Sequence, residues 1–288
     1  MNRFLIKLAS LFVFPALRRR VFRDSRLKPN LYDIDIKKFH ALSWQLSSIN
    51  TLILGSSHAY YGYFAEQKEF NLGLPSCDLY HSAMLYKWCT SHCCPNLRTI
   101  IIFYDLFSPG FQLEMTREAF RCVAYRELYG IEPRCPNRLS RYDKLLGHAM
   151  IKQHLWDCGG DYLKDYRGNS DFDFDGGYSV AERAMKHIKH NRRETSQTKY
   201  LEPVIQIART LNHRIIIVIP PLRSDFRSHL GSEDYYKELK ALVENYQNIK
   251  LIDLQCAGEF TWVDFIDCDH LTRRGAEKLA SIIRGRME

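Results

Sequence analysis

Two runs constrain this chain most: TIIIFY at Thr99–Tyr104 and RIIIVI at Arg214–Ile219. In both, apolar residues, most of them β-branched, follow one another without polar alternation. A strand with one wet face alternates apolar and polar residues, whereas a strand covered on both faces does not. Such strands belong to parallel sheets sandwiched between helices. Weaker strand candidates accompany them at Thr51–Leu54, Glu69–Leu72 and Lys250–Asp253. Helical periodicity fills the gaps: Ser82–Ser91 after the second strand, Lys199–Leu211 before the fourth, Asp234–Gln247 before the fifth. The chain closes with Thr272–Arg286, where Ala276, Leu279 and Ile283 share one face and Thr272 stands as N-cap. The alternation predicts an α/β three-layer sandwich, and right-handed crossovers favour a parallel sheet in flavodoxin-like order. The stretch from about 111 to 198 breaks the alternation. Rich in Tyr, Arg, Asp and Gly, it reads as a mainly helical insertion lying over the strand ends.

The formal net charge of +8 suggests nucleic acid until it is located. Residues 1–28 hold eight basic residues against Asp24 alone, so the other 260 residues are close to neutral. A nucleic-acid binder carries its basic face on the folded domain, so no nucleic-acid partner is expected. The same segment contains FLIKLASLFVFPAL, Phe4–Leu17, followed by Arg18-Arg19-Arg20. As a helix this run reaches about 21 Å, short of the ~30 Å hydrocarbon core. No small-residue cleavage site follows it. Residues 1–28 therefore read as a basic, apolar arm or membrane anchor on an anionic membrane surface, and 29–288 as one domain carrying the insertion. Nine scattered cysteines argue for a reducing compartment. The expected location is cytoplasmic and membrane-associated, with the periplasmic side as the alternative. The cluster Cys89, His92, Cys93, Cys94 lacks a second ligand pair at zinc spacing, so no metal and no cofactor are expected.

The first strand runs directly into Gly55-Ser56-Ser57-His58. In an open parallel sheet, ligands bind beyond the carboxyl ends of the strands. A serine at that turn faces the cleft, but it is a weak nucleophile unless a base takes its proton. A histidine waits before the last helix, in Asp267-Cys268-Asp269-His270. A carboxylate three residues ahead can reach round a turn to the ring N–H, fixing its tautomer. Taken alone, each motif is an ordinary turn. Together they frame the first and last elements of one α/β chain.

On these motifs the sequence resembles the SGNH, or GDSL, hydrolase superfamily. It looks most like the cell-envelope branch that includes the D-alanyl transfer protein and the alginate O-acetylation proteins. The resemblance covers about 48–108 and 200–286. It implies Ser57 as nucleophile, His270 as base and Asp267 as its orienter, with Ser56 standing where most members have aspartate. The family's oxyanion block falls on NLGLPS, giving Gly73 or Ser76 as the backbone donor. Its third block falls on FYDLFSPG and places Asp105 where an asparagine amide is usual. A carboxylate there would repel an oxyanion, so Asn169 or Arg167 of the insertion is the alternative donor. The neighbouring Asp264 and Asp269 read as loop or capping residues, with Asp264 the reserve orienter. His58 adjoins Ser57 and is the alternative, second base, but reads first as a helix-turn residue pointing away from it.

The resemblance implies serine-dependent acyl transfer or ester hydrolysis of O-acetyl type on a glycan or cell-envelope substrate. The partner would be an acylated carbohydrate or other ester. The alternative is a non-catalytic SGNH-like binding or assembly component of a membrane-associated polysaccharide pathway.

Overall fold

A computed structural model describes residues 29–92, 94–154, 160–172, 179–191 and 196–287. The basic arm 1–28 lies outside the described residues, as do Cys93 and residues 173–178 of the Asp/Gly-rich loop. In chain order the elements are α1 Pro29–Gln45, β1 Thr51–Leu54, α2 Ser57–Gly62, β2 Glu69–Asn71, α3 Leu79–Ser91, β3 Thr99–Phe103, α4 Cys122–Tyr129, α5 Arg141–His154, α6 Val180–Asn191, α7 Leu201–Thr210, β4 Arg214–Ile219, α8 Ser224–Ser228, α9 Lys237–Glu244, β5 Ile249–Asp253 and α10 Arg273–Met287. Among the described residues no helix is long and apolar enough to cross a membrane.

The chain forms two compact units. The larger takes 38–113 and 160–288; the smaller takes the residues up to Lys37 and 114–159. The stretch read as one insertion is therefore shared between them: 114–159 belong to the smaller unit and 160–198 to the larger. In the smaller unit, Phe120, Ala124, Leu146 and Met150 pack α4 on α5. The buried Arg121 there meets Asp35 through Nη2 at 2.6 Å and Nε at 3.1 Å. This two-bonded geometry keeps a buried guanidinium paired.

The larger unit is an α/β sandwich around a five-stranded, all-parallel sheet in the order β2-β1-β3-β4-β5. That is the flavodoxin-like order. Its centre is built by the apolar runs in register: Ile101 lies beside Ile53 and Ile216, and Ile217 beside Ile102 and Leu251. All of β1 and every residue of β4 after Arg214 are buried, while edge strand β5 is wet at Lys250 and Asp253. One sheet face carries α10, whose Leu279, Ala280 and Ile283 join Ile53, Phe103, Val218 and Ile252 in a single core. Thr272 caps α10, its Oγ1 accepting from Gly275 N at 3.2 Å. Helix α3 starts at Leu79, three residues before its apolar pattern is evident, because Asp78 accepts from His81 N. The β2 segment is assigned as strand only to Asn71, yet Leu72 N still donates to Ile53 O at 2.8 Å.

Candidate active site

The turn after β1 is shaped by two glycines. Gly55 has φ +142°, and a Cβ on it would lie 2.8 Å from Phe103 Cβ. Only glycine carries the chain this close to β3 in that conformation. Gly73, after β2, leaves no room either: its Cβ would sit 2.6 Å from Ala59 Cβ. Between these constraints Ser56 caps α2, its side chain accepting from His58 N, and Ser57 becomes the first helical residue. Ser56 is buried and Ser57 half-buried.

The histidine loop is equally tight. Phe265 and Leu271 form an antiparallel bridge, and Ile266 N donates to His270 O at 2.9 Å. Asp267 then serves twice. Its Oδ1 accepts from Asp269 N at 2.9 Å and His270 N at 2.6 Å; its Oδ2 faces His270 Nδ1 at 2.8 Å. The carboxylate on Nδ1 selects the tautomer whose Nε2 lone pair is open, and Nε2 lies 2.8 Å from Ser57 Oγ. Arg223, just past β4, steadies the loop by donating from Nη1 to Asp267 O at 2.8 Å. Asp264 is placed elsewhere. It closes a capping box with Thr261 and pairs with Lys278 Nζ at 2.6 Å. Burial works against its charge, but Lys278 and the Thr261 hydrogen bonds hold its carboxyl below the usual range.

Beneath this pair lies a charged layer that differs from the sequence reading at His58 and Asp269. Asp105 is 1% exposed. Ser56 Oγ donates to its Oδ2, and its Oδ1 faces His58 Nδ1 at 3.2 Å. With Oδ2 taken by Ser56 and Oδ1 without a hydrogen-bond partner among the described residues, Asp105 is an acceptor only and does not provide an oxyanion donor. His58 points inward, not away: its Nε2 meets Asp269 Oδ2 at 3.2 Å, and its ring stacks on His270 at 4.8 Å between centroids. Asp269 is no loop or capping residue. It also receives Arg183 Nε at 3.0 Å and faces His187 Nε2 at 3.3 Å, both from α6.

The electrostatics follow from this arrangement. Burial opposes a charge on His58, but Asp105 and Asp269 outweigh it and push the ring up to about 10. Burial likewise opposes a charge on Asp269, yet Arg183, His270 and His58 hold it well below the carboxylate range. His187 is driven the other way, well below the usual histidine value, by burial that Asp269 only partly offsets. His187 therefore meets Asp269 as a neutral N–H donor. Arg183 also brings Nη2 to 3.4 Å from His270 Nε2. None of His58, Asp269, Arg183 or His187 was marked for the site by the sequence. Their partners are up to 211 residues away along the chain.

The other expected donors are placed as follows. Gly73 N donates to Asn71 Oδ1 at 2.9 Å, and Gly73 O accepts from Lys38 Nζ. Asn71 is itself held by Ala59 O at 2.8 Å and Tyr63 O at 2.7 Å. Ser76 is half-buried at φ +59° in the turn after β2. Asn169 bonds the backbone of Ala65 in both directions, at 2.7 and 3.0 Å, and Arg167 donates to Gln45 Oε1. Neither is directed to Ser57 by these contacts.

His58, Asp269 and His270 lie close enough together to hold a metal ion. Their donor atoms do not suit one: a metal needs histidine lone pairs, and both His58 nitrogens face carboxylates while Arg183 occupies Asp269. Cys89, His92 and Cys94 form no metal-ligand group among the described residues. No protein-family model matches the chain, and no curated protein matches it in sequence.

Proposed function

We propose that this chain is a serine-dependent acyl transferase or ester hydrolase that works through an acyl-Ser57 intermediate. The observation that carries the reading is the pair of 2.8 Å links from Ser57 Oγ to His270 Nε2 and from His270 Nδ1 to Asp267. Nucleophile, base and orienter stand in one line. Flavodoxin-like strand order, with the serine after β1 and the histidine before the last helix, supports kinship with the SGNH hydrolases.

Ser57 Oγ attacks the ester carbonyl while His270 Nε2 takes its proton. The Oγ–carbonyl bond forms, and the carbonyl π electrons move onto oxygen. Ser57 N–H, at the first position of α2, has no hydrogen-bond partner among the described residues and is a backbone donor available to that oxyanion. Collapse of the intermediate expels the alcohol, which takes the proton from His270 and leaves acyl-Ser57. An incoming hydroxyl, deprotonated by His270, then attacks the acyl carbonyl; the Ser57 Oγ–acyl bond breaks, and Oγ takes the proton back from His270. Water as acceptor makes a hydrolase and a sugar hydroxyl makes a transferase. By the cell-envelope resemblance, the substrate class is an O-acetylated glycan.

The test compares Ser57→Ala with Ser56→Ala, using a fluorophosphonate probe and turnover of p-nitrophenyl acetate. Loss of both signals in Ser57→Ala, with residual signal in Ser56→Ala, is expected. Labelling that survives in Ser57→Ala but disappears in Ser56→Ala would move the nucleophile to Ser56.

A further inference from the structure

We propose that His58, Asp105 and Asp269 form a buried charged brace that positions the Ser57–His270 pair, with His58 as a standing imidazolium instead of a second base. The inference rests on the acyl-serine reading above and concerns what keeps nucleophile and base in register.

The contacts make a closed path. Ser56, the covalent neighbour of Ser57, donates its hydroxyl proton to Asp105 Oδ2. Asp105 Oδ1 faces His58 Nδ1, and His58 Nε2 faces Asp269 Oδ2, each at 3.2 Å. Asp269 is the covalent neighbour of His270, and its Oδ1 lies 3.5 Å from His270 Nδ1. Nucleophile and base are thus joined a second time, through side chains that make no direct bond between Ser57 and His270. Across that path the two imidazoles stack, with 18° between their planes. Sliding His270 off Ser57 would have to break the stack and at least one carboxylate contact.

Burial excludes the alternative role for His58. His58, Asp105 and Asp269 are exposed by 3%, 1% and 1%. His58 Nδ1 lies 3.4 Å from Ser56 Oγ, whose own proton goes to Asp105, and 3.2 Å from Asp105 Oδ1, while Nε2 faces Asp269 Oδ2, so both nitrogens face acceptors and neither offers a lone pair to a substrate proton. Two buried carboxylates that flank one ring need compensating cations, and the imidazolium fills that place between them. The groups facing His58 come from every side: Ser56 on its own turn, Asp105 after β3, Asp269 and His270 before α10, and His187 edge-on at 5.9 Å from α6. Arg183 adds a second cation at Asp269, its Nε 3.0 Å from the same Oδ2 that His58 faces. Against the burial that opposes its charge, the Asp105 and Asp269 contacts push the His58 ring up to about 10.

Positioning shows in the turnover number, since misplacing a reacting group by about 1 Å costs on the order of 100-fold in rate. The full chain is assayed with p-nitrophenyl acetate and the fluorophosphonate probe as wild type, His58→Gln, Asp105→Asn and the double variant. His58→Gln is expected to lower kcat and the labelling rate by about 10- to 100-fold with KM held within about twofold. The double variant should be no worse than the poorer single one, because both changes break the same path. Unchanged kcat, a loss carried by KM, or additive losses would overturn the brace. If His58→Gln does not fold, ¹⁵N-histidine NMR of the wild type decides: both His58 nitrogens stay protonated from about pH 6 to about pH 9, where an ordinary histidine is neutral above about 6.5. A His58 ring neutral at pH 8 would sink the proposal. A wild type that the probe never labels would instead strike the acyl-serine reading, and the NMR result would still judge the brace.

Discussion

The two ends of the same parallel sheet invite comparison. At the amino ends of β3, β4 and β5 lies a hollow of about 870 Å³, lined by Arg98, His213, Arg214, Asn248 and Lys250 among others. At the carboxyl ends Ser57 and His270 meet over a tightly filled layer of carboxylates, imidazoles and a guanidinium. At the amino end the cations are engaged by backbone carbonyls. Arg214 and Lys250 donate to the carbonyls of Met287 and Arg286, at the carboxyl end of α10, where a helix favours positive charge. Arg98 Nη1 donates to Pro95 O at 2.9 Å and Leu97 O at 2.8 Å. Among the described residues no carboxylate lines that hollow. At the carboxyl end, unlike charges are buried against one another, and their proton affinities are driven apart: His58 up, His187 and Asp269 down. Empty volume marks where helix ends leave a gap. Opposed ionisable groups under one hydroxyl mark where a proton can be moved.

Substitutions at the two ends should therefore differ by orders of magnitude. The largest effect is expected from His270→Ala, which should lower p-nitrophenyl acetate turnover by at least about 10³-fold. Asp267→Asn comes next, about 10²- to 10⁴-fold, because an amide at Nδ1 admits the wrong tautomer. If Asp267→Asn keeps full turnover, the orienter lies elsewhere, and Asp269 is the next carboxylate to test.

A smaller effect is expected in stability, read by chemical denaturation across pH. His58 is raised above its ordinary 6.5 to about 10 in the folded chain. Its charge therefore contributes stability that is fully present below about pH 6.5 and is lost as pH rises towards about 10. The stability difference between wild type and His58→Gln should shrink steadily over that window. A difference that grows with pH would mean that His58 is held neutral.

Asp264→Asn should separate folding from chemistry. It removes an acceptor that pairs with Lys278 and caps Thr261, costing about 1–3 kcal/mol of stability, with labelling of Ser57 unchanged in the folded fraction. The smallest effect belongs to the amino end. Lys250→Ala should cost about 0.3–1 kcal/mol through the end of α10 and leave turnover as it was. Lost turnover in Lys250→Ala would break the contrast between the two ends.

Legibility in the sequence divides along the same line. Strands β1, β3 and β4 are visible because each is a local run whose burial follows from composition alone. Ser57, Asp267 and His270 are visible because serine-after-strand and Asp-x-x-His are local spacings, and the structure brings all three within hydrogen-bond reach. The charged layer is not visible. Asp269 and Asp267 look alike in the sequence; only the bridge between Phe265 and Leu271 turns one carboxylate to Nδ1 of His270 and the other down onto His58. Asp105 stands where the resemblance wanted an amide, and its partners, Ser56 and His58, come from the neighbouring strand's turn. Arg183 and His187 sit in a region whose helices carry no α/β periodicity to place them. Such roles depend on which turn faces which, and that is set by tertiary packing.

The central claim is that Ser57 is the nucleophile and His270 activates it. Peptide mapping after fluorophosphonate treatment tests this most directly, with wild type and His270→Ala treated side by side. One phosphonyl group is expected on Ser57 of the wild type and almost none in His270→Ala at equal exposure. An adduct on another serine, or equal labelling of Ser57 without His270, would contradict it.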